Sequence, residues 1–588
     1  MLNDITFDPP VSFVGTNAAL LPWNYAEVAM PQMIGRGSDQ PRLVMALPTA
    51  TAPARYAAIG PGTFSEPAAT VDYIAGLHGI DELDRFADAD TRCFLGPETD
   101  LKPTDPVTND PATVFEILAE PWELITDRPI SQAVVIIDAG IAFWNRRFRG
   151  LAGPRFRGMR FFDFDQPNAP SNLLTDLDIA AYCDLADREG NAAVMQRLGA
   201  RYPNSVFGQA ANPDPDSLWH GTAIADLAAG AEVGTADDVA LFGLELPRAV
   251  IADYSGGILS VTLAMILPAA IAMTKDLADK LTIVMPLGFP AGPQDGSHPA
   301  AVAIDRAMAG SGRNNNCLVL PAGNHLQDRC HARLTGGGAR ASVHWDLPPE
   351  DYSTNTVAMF GVAGQPVSLA VAAPGQAVAT PVTMPQASYC FAVQNNEKIG
   401  VLVRALDTPS RSQTGLALWQ TAVTKDHNGA SYGRWTLSSV ADMDLWLARD
   451  DRDPVADRGR PRRPSRFWDA GYTRTDANGA LMQSDDPMSV IKRTGTLSVL
   501  ATARNPGIFA VRAMERLGMG GPGPSGYSSR REDGQPVANA AMVDEGWPHR
   551  GTMAAANGGQ RRVRISGTSA AAGSFARITI LPNVPPGG

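Results

Sequence analysis

The chain has 588 residues, more than one ordinary domain needs. Apolar residues make up 44% and charged residues 19%, enough to bury a large core. Its 61 acids outnumber 49 bases, for a formal net charge of −12, which disfavours nucleic acid as a partner because phosphate neutralisation needs clustered cations.

Residues 1–130 are Pro-rich and read as an irregular N-terminal extension, with helices expected near 71–87 and 112–124. The opening Met1-Leu2-Asn3-Asp4 has no basic or apolar leader segment, and no run reaches membrane-spanning length, so a cytoplasmic protein without a membrane partner is expected. From 133 to 137 a continuous apolar run reads as a buried parallel strand, with Asp138 at its C-terminal end. An insertion rich in Arg, Phe and Asp follows. Its segment 212–216 holds two aspartates among prolines, which could ligate a structural calcium but reads more simply as a solvated turn. Residues 222–229 read as a helix, 239–246 as a strand, 262–280 as a helix, 281–287 as a strand, 299–309 as a helix and 317–321 as a strand. This alternation predicts a doubly wound parallel α/β sheet.

Beyond His331 the pattern changes. Short alternating runs at 367–372, 399–405, 416–421, 435–439 and 443–448, separated by turn residues, predict an inserted β-sandwich-like domain. Its Trp419, Trp435 and Trp446 suit core packing, and its loops offer a surface for a protein partner. Residues 449–466 read as an exposed loop, 497–503 and 508–512 as strands, 518–526 as a Gly/Pro loop, and 562–565 as a strand feeding a helix at Ser569. The expected division is 1–130, 131–335, 336–500 and 501–588. Five cysteines (Cys93, Cys183, Cys317, Cys330 and Cys390) without a Cys-x-x-Cys pair reveal neither a disulfide framework nor a metal site; Cys317 reads as a buried small hydrophobe.

Four polar residues stand at the ends of predicted strands or the starts of helices: Asp138 before Ala139-Gly140, His220 before Gly221-Thr222, Asn324 after Pro321-Ala322-Gly323, and Ser569 after Gly567-Thr568. Each alone suits a cap or a turn. Together they supply an acyl-transfer set. A neutral imidazole takes the serine proton as the oxygen attacks a carbonyl, and a carboxylate on the far side of the ring fixes its tautomer. The resulting oxyanion needs donors, which the Asn324 amide and the Ser569 N–H would provide.

These residues resemble the motifs of the subtilisin-like serine peptidases. Asp138 matches the family's Asp in Asp-Ser/Thr-Gly, with Ala139 in place of the hydroxyl residue, and His220 matches the His of His-Gly-Thr. Ser569 matches the nucleophile of Gly-Thr-Ser-x-Ala-x-Pro, with Gly573 where Pro is usual, and Asn324 matches the oxyanion-hole Asn. The resemblance covers roughly 130–335 and 500–580, and implies a serine endopeptidase that needs no cofactor. It also implies that a polypeptide substrate lies as an extended strand between Ser255, Gly256 and Gly257 on one side and Met285, Pro286, Leu287 and Gly288 on the other. Ala322 and Gly323 complete the pocket wall. These walls carry no charge, so an uncharged, apolar side chain before the cleaved bond is expected, with Phe289 narrowing the entrance. A silent scaffold that only binds protein is the competing reading.

Overall fold

The computed structural model describes residues 131–163, 172–209, 219–230, 239–251, 256–278, 280–310, 316–336, 341–408, 411–423, 429–448, 463–516, 521–546, 550–556 and 561–580. Before 131 it describes 4–12, 42–48, 55–56, 91–98 and residues 122, 124, 125 and 130.

The central sheet runs in the spatial order Leu173–Leu174, Phe156–Phe161, Val239–Glu245, Gln132–Asp138, Lys280–Val284, Asn316–Pro321, Ile508–Arg516. From Phe156–Phe161 to Ile508–Arg516 every neighbouring pair is parallel, and Asn539–Glu545 adds a further parallel partner to Ile508–Arg516. Such strands are buried on both faces, which explains why Ala133 to Ile137 is continuously apolar. Successive side chains go to opposite faces. Val135 and Ile137 pack with Leu263 and Ile266 of helix Gly257–Met273 and Ile304 of helix Pro299–Gly310. Val134 and Ile136 pack with Ala223 and Ile224 of helix His220–Ala229 and Ala570 to Ala572 of helix Thr568–Ile580. Helices therefore cover the sheet on both sides.

The β-rich region forms two further sheets, one of nine strands and one of five. Trp345, Trp435, Val357, Leu416 and Leu445 fill the core between them. The nine-stranded sheet is buried on its other face too. Ala358, Phe360, Trp446 and Ala448, the alternates of Val357, Met359, Leu445 and Leu447, join the helix-side core of the central sheet. Trp435 and Trp446 are fully buried and Trp419 nearly so.

Several expectations are corrected. The segment after Asp138 is no mere insertion: Phe156–Phe161 belongs to the central sheet, and helices Asp176–Glu189 and Asn191–Arg201 pack beside it. Residues 497–503 are not a strand but hold the 3-10 helix Val499–Thr502. The Ser498 and Val499 N–H groups donate to the Ala322 and Phe289 carbonyls instead of to a ladder. The N-terminal extension is not irregular throughout. Ile5–Phe7 pairs with Ser388–Gln394, and Arg42–Pro48, Arg55–Tyr56 and Thr91–Glu98 form a small sheet. Cys317 is half-buried, and it and the buried Cys183, Cys330 and Cys390 are free thiols. The helices expected near 71–87 and 112–124 lie outside the described residues, apart from Trp122 and Leu124; the Trp122 ring lies 4.6 Å from that of Phe242. Residues 212–216 also lie outside, as does most of 449–466. Among the described residues no helix is long and apolar enough to cross a membrane.

Candidate active site

Asp138 ends its strand at the C-terminal edge of the sheet, where parallel α/β folds place ligands. Its carboxylate is 2% exposed. One oxygen accepts the Ala139 N–H at 2.8 Å, and the other lies 2.7 Å from His220 Nδ1. His220 opens its helix, and the two residues after it hold that helix against the Asp138 loop. The Gly221 N–H donates to the Ala139 carbonyl at 2.9 Å. A Cβ on Gly221 would sit 2.7 Å from that same oxygen, so the approach requires glycine. The Thr222 hydroxyl donates to the Gly140 carbonyl at 2.6 Å and accepts the Ala142 N–H at 2.7 Å. Burial works against the charged form of His220, but the Asp138 charge and hydrogen bond outweigh it, and its pKa is raised above the ordinary 6.5. The His220 side chain keeps 34% of its surface exposed.

A residue the motifs do not reveal lies beside this pair. Glu245 is registered opposite Asp138 on the neighbouring strand and is fully buried. Its carboxyl oxygens accept the Gly140 N–H at 2.7 Å and the Ile141 N–H at 3.1 Å. It therefore holds the turn that leaves Asp138, where Ala139 offers no hydroxyl. Burial pushes its pKa up to about 8; the two N–H bonds oppose this and the Asp138 charge adds to it. A single acid at the end of the apolar run 239–246 was the available signal.

Ser569 is the second residue of its helix. Gly567, at φ 110°, turns the chain into the helix, and its N–H donates to the Tyr527 hydroxyl at 2.7 Å. Tyr527 in turn donates to Asp544. Asn324 Oδ1 accepts from both the Thr568 N–H at 2.9 Å and the Thr568 hydroxyl at 3.0 Å. Its amide oxygen is thus engaged, and its Nδ2 remains as a donor at the exposed edge. The Ser569 N–H lies in the first helical turn, where no intrahelical acceptor exists and partial positive charge accumulates. The Ser569 hydroxyl donates to the Pro286 carbonyl at 3.0 Å. The Gly573 position is also explained. A Cβ there would meet the Ile224 carbonyl and the Leu227 Cβ, each at 3.1 Å, where the helices carrying Ser569 and His220 cross.

Of the expected substrate segments, Met285 to Gly288 follows the strand Lys280–Val284 rather than continuing it. Met285 is buried, and its N–H still donates to the Val319 carbonyl at 3.1 Å. A Cβ on Gly288 would fall 2.1 Å from Ser498 Oγ. Gly256, at φ 88°, caps helix Gly257–Met273, so Gly256 and Gly257 are a helix start and not the expected strand; Ser255 lies outside the described residues. A Cβ on Gly256 would strike the Phe289 ring at 2.6 Å. Phe289 itself is 2% exposed and packs in the core instead of narrowing an entrance. Ala322 is buried, and the Gly323 N–H, at φ 106°, donates to the Thr568 hydroxyl at 3.0 Å. Among the described residues no cluster of three His, Cys, Asp or Glu could hold a metal ion.

The arrangement pairs a carboxylate with an imidazole and sets a serine hydroxyl and an amide donor at one helix start. No family model matches the chain, and no curated protein matches it. Among solved structures it is similar to the Clostridium perfringens CspB protease, at 15% identity and a TM-score of 0.54, over 77% of this chain and 82% of that one. The likeness is one of fold: a sheet-rich α/β chain that shares its architecture with a protease.

Proposed function

We propose that this chain is a serine endopeptidase of subtilisin-like design, with the central sheet as its doubly wound catalytic framework. The observation that carries the reading is the 2.7 Å contact between Asp138 and His220 Nδ1, made at the sheet edge that also receives the start of the Ser569 helix. In this reading Asp138 holds the Nδ1–H tautomer, so that Nε2 is the free base. Nε2 takes the Ser569 hydroxyl proton as Oγ bonds to the scissile carbonyl carbon. The carbonyl oxygen becomes an oxyanion, which accepts from Asn324 Nδ2 and the Ser569 N–H. His220 then gives its proton to the departing amine, leaving an acyl-enzyme, and water attacks by the same route. No step calls for a cofactor. The polypeptide runs along the edge of Met285 to Gly288, and the β-rich region offers a surface for a folded partner.

The bond from Ser569 to the Pro286 carbonyl favours a silent scaffold as the second reading, since it turns the hydroxyl away from a base. One rotation about χ1 would release it, and catalytic contacts often close only around bound substrate. A fluorophosphonate probe decides between the two. The peptidase reading expects covalent labelling that Ser569→Ala abolishes, together with loss of peptide turnover. An unlabelled wild-type chain would leave only the scaffold.

A further inference from the structure

A cavity of about 550 Å³ adjoins the ends of the two proposed substrate walls. Pro290, which closes the segment begun by Met285 to Gly288, lines one side, and His325, next to Asn324, lines the other. The far side is built by residues that the sequence scatters: Arg329, Arg466 and Arg474. A backbone hydrogen bond brings two of them together. Arg329 stands two residues before the strand His331–Leu334, and its carbonyl accepts the Phe467 N–H at 3.0 Å, which draws Arg466 alongside.

The electrostatics of this cavity run against those of the chain as a whole. Acids outnumber bases overall, yet among the described residues none of these three guanidiniums forms an ion pair. The nearby carboxylates are already engaged. Asp328, which also lines the cavity, lies 2.9 Å from His325 Nδ1, and Asp346 is held by Arg434 at 2.8 Å. Burial first, then the Arg466 charge, holds the Arg329 guanidinium below its ordinary pKa, as expected for a cation whose neighbouring charge is not neutralised. Arg329 is half-buried and adopts φ 54°, a left-handed conformation that a non-glycine residue keeps only where its surroundings impose it. Arg466 and Arg474 stand at the exposed rim. Guanidinium presents a planar fork that matches a carboxylate.

We propose that this cavity receives an acidic side chain of the polypeptide held beside Ser569, with Arg329 as its direct partner and Arg466 and Arg474 supplying the surrounding field. This rests on the peptidase reading and gives it a substrate class. It also revises the expectation of an apolar side chain before the cleaved bond: the walls are uncharged, but the cavity next to their ends is lined by three arginines.

The test uses the full chain and two peptides that differ only by Glu or Gln at the residue preceding the cleaved bond. At low salt kcat/KM should favour Glu by at least about tenfold, and Arg329→Met should bring the ratio toward one. Binding is measured separately in the Ser569→Ala chain by fluorescence anisotropy of the same peptides. There Glu should again bind about tenfold tighter than Gln, a ratio that Arg329→Met erases. Should Arg329→Met fail to fold, the rim variant Arg466→Met/Arg474→Met must lower the ratio several-fold. Equal treatment of Glu and Gln in both assays overturns the proposal, and so does a ratio that none of these variants moves. Inorganic phosphate that binds while the peptides are not distinguished would mark a free-anion site and likewise overturn it. Fluorophosphonate labelling run alongside separates the two layers: labelling without Glu preference removes the cavity assignment alone. Glu-selective binding without labelling removes the peptidase reading and leaves an acidic-peptide binding site.

Discussion

Replacing Asp138 by Asn keeps the shape of the side chain and changes the donors it presents. The Ala139 N–H, 2.8 Å from one carboxylate oxygen, needs an acceptor, so it holds the amide oxygen of the variant on that side. The amide nitrogen then faces His220 Nδ1 at the position now 2.7 Å away. Two donors cannot face each other, so Nδ1 becomes the acceptor and the ring proton moves to Nε2. In the proposed mechanism that is the nitrogen that takes the serine proton. The expected loss in kcat/KM is about 10⁴-fold, or about 5.5 kcal/mol of transition-state stabilisation. A second readout follows from charge. In the wild type Asp138 lifts the His220 pKa above 6.5 against burial. The free base therefore becomes available only as pH rises through that raised value, and kcat/KM should rise with it. The stability contributed by the protonated ring is present below the unfolded-state pKa and is lost as pH rises through the folded one. With the charge removed, burial alone acts, and the His220 pKa should drop below its ordinary value. Peptide turnover against pH and NMR titration of the imidazole measure both effects. A variant within tenfold of wild-type turnover, or an imidazole pKa that does not fall, would refute the argument.

Asn324→Ala should lower kcat by roughly two to three decades with little change in KM, because its amide is assigned to the transition state; a pure KM effect in steady-state kinetics would place it in ground-state binding. Glu245 has a folded pKa raised to about 8, so its contribution to stability is full below its unfolded value and is lost as pH rises toward 8. Urea denaturation at several pH values should show that decline in the wild type and a flatter profile for Glu245→Gln; identical slopes would count against the buried carboxyl as its source. Gly288→Ala places a Cβ 2.1 Å from Ser498 Oγ and should destabilise the fold by about 1–3 kcal/mol, with partial recovery on adding Ser498→Gly. A melting temperature unchanged by Gly288→Ala would show that this loop yields freely.

The parts of the site that were legible in the sequence share one physical trait. Asp138, His220, Asn324 and Ser569 each stand where a strand stops or a helix starts, and although each alone suits a cap or a turn, the four in that chain order make an acyl-transfer set. Glu245 also ends an apolar run, but its role was not legible because its partners are backbone N–H groups in the turn after Asp138, and backbone groups leave no mark in composition. The cationic cavity was hidden for a related reason. Arg329, Arg466 and Arg474 come from separate segments, and only the fold brings them to one cavity. The residues 497–503 misled because Val and Leu suggest a strand, whereas their N–H groups answer carbonyls on two loops that have no sequence proximity. Helix Gly257–Met273 begins and ends earlier than its apolar stretch suggested, since the left-handed Gly256 fixes its start.

The first strand of the chain has a consequence for the order in which this protein can be completed. Ile5 is fully buried in the sandwich core, and its N–H donates to Gln376 at 3.1 Å, 371 positions further on. Its strand partner, Ser388–Gln394, lies later still. At roughly 5–20 residues per second, a ribosome takes on the order of 20–75 s to make that stretch. Throughout that interval the opening segment emerges with its apolar face unmatched, while the strand edge it will cover does not yet exist. Pairing of this strand therefore waits for residues 371 or more positions further on, and the sandwich gains its Ile5 side chain only after they have been made.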